Sequence, residues 1–97
     1  MKLFAIFGNP ISHSISPRLH NNVIHHLNLD ACYTRKLLTD GDALIHTFQN
    51  LKLSGANVTV PHKEAAYRYC DEVRGIANEI KAVNTLVQEK GKIIGYN

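Results

Sequence analysis

Long apolar runs are missing from this chain. The longest, LFAIF and a few short valine and isoleucine stretches, are far too short to cross a bilayer. No extended apolar segment with a small-residue cleavage site opens the chain, so no secretory signal is expected. Cysteine is scarce too: Cys32 and Cys70 are the only two, and they form no CxxC pair. Two cysteines make no disulfide framework, and the expected setting is a reducing cytoplasm. No HExxH or paired Cys/His pattern is present, and His20, His25 and His26 lack helical i, i+4 spacing, so no metal site is expected. Charge of either sign is modest, with 11 Lys and Arg against 8 Asp and Glu and a net charge of +3. The basic residues are scattered, which argues against a nucleic-acid partner. The glycines at 8, 41, 55, 75, 91 and 95 form no GxGxxG, so these residues are not expected to bind a dinucleotide cofactor.

What is present is an ordinary globular composition, 44% hydrophobic, of a length that suits one domain over 1–97. KLFAIF reads as a strand buried on both faces. The run PRLHNNVIHHLNL has helical spacing at Leu19, Val23, Ile24 and Leu27, with Ser16 as N-cap and Pro17 at the first helical position. ACYTRKLL reads as a second strand, and DGDALIHTFQNLKL as a helix with Leu44, Ile45, Phe48 and Leu51 on one stripe. GANVTV is a β-branched strand, HKEAAYRYCDEV and GIANEIKA are helical segments parted near Gly75, and VNTLVQEKGKIIGYN is a hairpin about Lys90-Gly91. This alternation predicts an α/β fold: a three-layer α/β/α sandwich with a mostly parallel sheet and one antiparallel hairpin.

Ligands of such sheets bind at the carboxyl ends of the strands. That edge receives GNPISHSISP, which carries three serines directly behind a buried strand. In an extended loop Ser12, Ser14 and Ser16 point to one side, roughly 6–7 Å apart, and two such hydroxyls can converge on one carboxylate. The same loop reads equally well as a helix cap with solvated neighbours. The edge also receives ANVTVPHK, where Asn57 and Thr59 share a face and Val58 and Val60 take the other. Lys63 lies in the first turn of the next helix, where the helix dipole and partial burial disfavour an ammonium and favour a proton acceptor. Its position by itself suits a lysine that reaches to water. The two-residue turn pairs Glu89 with Lys92 and sets Asn84 opposite Asn97 at the same edge.

These stretches together resemble the shikimate dehydrogenases. GNPISHSISPRLHN is similar to that family's GNPIxHSxSPxxHN, GANVTVPHK to its GxNVTxPxK, KAVNTL to its GAVNTL, and GYN to the start of its GYNTD. The four motifs run in family order over essentially the whole chain, and the likeness is to the N-terminal, substrate-binding domain. The resemblance implies an enzyme that reversibly reduces 3-dehydroshikimate to shikimate with NADPH, on the way to chorismate and the aromatic amino acids. It implies that Ser14 and Ser16 hold the substrate carboxylate, that Thr59 binds substrate and that Asn84 binds ring hydroxyls. It makes Lys63 the catalytic lysine, which handles the proton of the hydroxyl whose carbon gives up hydride. Asn57 lies in the same motif, as a substrate-binding residue or a brace for the loop.

The chain departs from the pattern in several places. The family's catalytic aspartate falls two positions beyond Asn97, and its NADP-binding domain and the C-terminal helix that returns to this domain are absent from these residues. The expectation is therefore NADP(H) in the parent enzyme but none bound here, an inactive fragment when alone, and an exposed apolar patch that favours self-association. Lys81 replaces the motif glycine. His62 stands where a bulky apolar residue is usual and is expected to be exposed filler at the border of the site. The alternatives are the substrate domain of a quinate/shikimate dehydrogenase, from which the paired serines point away, and a fragment that only binds.

Overall fold

The computed structural model describes all residues, Met1–Asn97. Its strands are β1 (Lys2–Gly8), β2 (Ala31–Leu37), β3 (Gly55–Val58), β4 (Glu72–Val73), β5 (Thr85–Glu89) and β6 (Lys92–Tyr96). Its α-helices are α1 (Ser16–His26), α2 (Leu44–Asn50, entered through a 3-10 turn at Gly41–Ala43), α3 (Lys63–Tyr69) and α4 (Ile76–Ile80). The strands form one six-stranded sheet in the order β2-β1-β3-β5-β6-β4. β1 pairs in parallel with β2 and β3, and β4 with β6, while β5 pairs antiparallel with both β3 and β6. One reversed strand in an otherwise parallel sheet is the expected architecture.

The alternation of side chains in β1 builds both faces. Ala5 and Phe7 point to one side, where they meet Ala56, Val58 and Leu86 of the sheet and Leu44, Phe48 and Ala66 of α2 and α3 in the main core. Ile6 points to the other side and packs with Ile11, Tyr33 and Ile24 of α1. The hairpin has the predicted register, from Glu89↔Lys92 to Thr85↔Tyr96. Lys90 and Gly91 both take positive φ, 50° and 79°, as a two-residue turn between right-twisted strands requires.

Four expectations need correction. Helix α3 stops at Tyr69, and Glu72–Val73 within the segment read as helical is a short edge strand, held where the Asp71 carboxylate accepts from Ile93 N at 2.8 Å. Ser16 is the first residue of α1 and not its N-cap; Ile15 holds the cap position. Val60 lies beyond β3 and is exposed. The stripe of α1 is mostly unburied: Leu19, Val23 and Leu27 are exposed, Ile24 is half-buried and Pro17 is buried. The helix docks through a polar residue instead. Asn21 accepts from Tyr33 N at 2.9 Å and donates to Tyr33 O at 2.7 Å, so its amide extends the ladder of edge strand β2.

Lys81 ends α4 in the left-handed conformation, φ 57° and ψ 41°. A Cβ is unfavourable there, which gives the motif glycine a steric reason. Lys81→Gly should raise the stability of the chain by about 0.5–1 kcal/mol, measured as a higher urea midpoint at unchanged slope.

Candidate functional site

The carboxyl ends of β1 and β3 lie side by side, with Phe7 opposite Val58. Both chains turn there, and Asn9 N donates to Val60 O at 3.0 Å, tying one loop to the other. Gly8 makes the approach possible. A Cβ at Gly8 would strike the Thr59 methyl and come within 3.3 Å of Val60 O. Thr59 N donates to Phe7 O at 2.9 Å, which places the half-buried threonine against the end of β1.

The serine loop is not extended. Ser14 N donates to Ile11 O at 3.1 Å, closing a turn that leaves Ser12 exposed and seats Ile11 in the apolar cluster under α1. Ser12 therefore departs from the set, while Ser14 and Ser16 are both half-buried. The Ser14 hydroxyl oxygen accepts from Ser16 N at 3.3 Å, which leaves its own proton to donate to an anion.

Asn57, Asn84 and Thr85 form a chain of hydrogen bonds that begins at Tyr33. The Tyr33 phenol donates to Asn57 Oδ1 at 2.6 Å. Asn57 Nδ2 donates to Thr85 Oγ1 at 3.4 Å, and Thr85 Oγ1 donates to Asn84 Oδ1 at 2.9 Å. The phenol fixes the orientation of the Asn57 amide, because only the carbonyl end can accept from it. Asn57 is thus braced from two strands, and Asn84 is braced through Thr85. Asn84 is further held in the backbone: its N donates to Tyr96 O at 2.9 Å and its O accepts from Val58 N at 2.8 Å. His20 stacks on the Tyr33 ring, with centroids 4.2 Å apart and planes 8° apart.

Lys63 is the first residue of α3, half-buried, and its side chain forms no ion pair. Its carbonyl accepts from Val83 N at 3.0 Å, which binds the start of α3 to the residue before Asn84. His62 overturns the expectation of exposed filler. It is 3% exposed, one of two buried ionisable side chains with Tyr33. Its Nε2 donates to the carbonyl of Leu38, past the end of β2; the carbonyl can only accept, so Nε2 carries the proton.

Ser14, Ser16, Asn57, Thr59, Lys63 and Asn84 thus stand on the loops and strand ends of one sheet edge, whereas Ser12 faces solvent. Sequence reasoning missed Tyr33 and Thr85. A tyrosine inside an apolar strand needs a partner for its hydroxyl, which was the available signal. Burial pushes the Tyr33 phenol up to about 12, against the nearby Ser16 hydroxyl, which pulls it down. The folded value is raised, so this contribution to stability is intact below pH 10 and is lost as pH rises through about 12. Ultraviolet titration should show one tyrosine ionising near pH 12, and Tyr33→Phe should remove that step.

Hydroxyl donors, two amides and a lysine thus line the carboxyl edge of a mostly parallel α/β sheet, the edge at which such folds bind ligands. The family of the shikimate dehydrogenase substrate binding domain matches residues 6–86, and the chain belongs to that family. It is 50% identical over 95 residues to the NADP(+) shikimate dehydrogenase of Helicobacter hepaticus, covering 97% of this chain and 35% of that protein. It is 48% identical over 99 residues to that of Bacillus mycoides, covering 99% and 35%. The structure of Thermus thermophilus shikimate 5-dehydrogenase in complex with shikimate is similar over 100% of this chain and 38% of that one, at 36% identity and a TM-score of 0.90. The chain spans about 35% of the length of these curated relatives.

Proposed function

We propose that these residues bind 3-dehydroshikimate and shikimate within an NADP-dependent shikimate dehydrogenase, an oxidoreductase of the cytoplasm. The observation that carries the reading is the gathering of Ser14, Ser16, Asn57, Thr59, Lys63 and Asn84 at one sheet edge, in family order. In this reading Ser14 and Ser16 donate to the substrate carboxylate, while Asn84, Thr59 and the braced amide of Asn57 hold ring hydroxyls. Lys63 gives a proton to the carbonyl oxygen as it becomes a hydroxyl, and takes it back in the oxidation. NADP(H) supplies or accepts the hydride. Residues 1–97 offer it no glycine-rich cradle.

Isotope-labelled chain titrated with shikimate should show shifts at these six residues. Quinate shifting them while shikimate does not would favour a quinate/shikimate enzyme, and no shift with either would overturn the reading. Pure 97-residue chain should produce no NADPH from shikimate and NADP⁺. The exposed Leu19, Val23 and Leu27 of α1 support a further reading, that the isolated chain self-associates; sedimentation of a strict monomer at high concentration would refute it.

A further inference from the structure

The residues assigned to the substrate carboxylate carry no charge. Ser14 and Ser16 are neutral donors, so an anion held by them alone gives up water without meeting a counterion. The structure sets a cation beside them. Arg35 stands on β2 opposite Ile6 and two residues after Tyr33, hence on the α1 face, the side where the serine loop passes. Its Nε donates to the carbonyl oxygen of Ser14 at 3.1 Å. The guanidinium is thereby held next to the residue whose hydroxyl the proposed function assigns to the carboxylate. Arg35 is absent from the ion pairs of the chain, which join Met1 with Asp30, and Arg74 with Glu72 and Glu89. The terminal N–H groups of Arg35 also make no hydrogen bond to the protein. A planar fork of donors without an acid partner suits a carboxylate.

We infer that Arg35 is a specificity-determining residue of the substrate site: it anchors the serine loop through Ser14 O and supplies the positive charge that selects an anionic ligand. The inference rests on the proposed function. It differs from the serine assignment in what it selects, since a hydroxyl still donates to a neutral carboxamide, in a weaker bond, whereas a guanidinium facing one loses its counterion.

The test is calorimetric titration of the intact protein and its Arg35→Gln and Arg35→Lys variants with shikimate and with shikimamide, its neutral amide. Arg35→Gln should weaken shikimate by about threefold to tenfold, the range for a solvent-exposed charge, and shikimamide by less than about twofold. Arg35→Lys should recover most of the loss. The shikimate affinity of the unaltered protein should fall as NaCl is raised, and that dependence should flatten in Arg35→Gln. Equal losses for both ligands would reduce Arg35 to a brace for the loop and overturn the inference. Unchanged shikimate affinity and salt dependence in Arg35→Gln would overturn it as well. Failure of the unaltered protein to bind shikimate would instead overturn the proposed function, and the inference with it.

Discussion

Lys63→Ala in the whole enzyme should lower kcat by roughly 10²–10⁴-fold and leave the KM for shikimate within several-fold. Lys63 opens α3, and its carbonyl is fixed to Val83 N at 3.0 Å, one residue from Asn84. Its side chain is in no ion pair with an acid of the chain, which leaves it free to exchange a proton with the substrate hydroxyl that the proposed function gives to Asn84. A group that moves a proton in the transition state is felt in kcat. Ser14→Ala should behave in the opposite way. In the proposed function its hydroxyl holds a carboxylate that does not change during the reaction, so its loss should weaken ground and transition states alike. KM should rise about tenfold, as for one charge-assisted hydrogen bond, with kcat little changed. Steady-state kinetics of the two variants decide the matter. A rise in KM alone for Lys63→Ala would make the lysine a binding group and require another residue to move the proton.

His62→Ala should destabilise the fold by about 2–4 kcal/mol, from a lost hydrogen bond to a buried carbonyl and a cavity where the ring stood. The ring is packed tightly: a Cβ at Gly41 would lie 3.2 Å from His62 Nδ1 and 2.9 Å from the Ala65 Cβ. Its partner Leu38 is itself buried and donates its N to Gly8 O at 3.1 Å. The imidazole therefore joins the ends of β1 and β2 to the turn that presents Lys63. His62→Gln, which keeps a donor at a similar reach, should recover more stability than His62→Leu, which only fills space. Urea unfolding of the three variants checks the order. A loss below about 0.5 kcal/mol for His62→Ala would place the residue with ordinary surface positions.

Much of the molecule was legible in the residue order. The 3.6-residue spacing of Leu44 and Phe48, the β-branched run at Val58 and the Lys90-Gly91 turn each encode a local conformation, and the turn sets a register that the hairpin keeps. The four motifs and their order placed the serine loop, Asn57, Thr59, Lys63 and Asn84 at one edge, because the parallel strands β1 and β3 end there and the reversed strand β5 begins there. Tertiary structure decided the rest. Ser12 left the serine set because Ile11 turns inward to meet Ile6 and Tyr33, the latter from a segment distant in the chain. His62 is buried because the end of β2 supplies a carbonyl at Leu38, 24 residues earlier. The amide of Asn57 faces one way because a phenol 24 residues before it donates to its oxygen. Arg35 stands beside Ser14 only because β2 pairs in parallel with β1. Local patterns specify what a residue does with its own backbone. Which polar partners meet across the sheet is set by strand pairing, and pairing is a property of the folded chain.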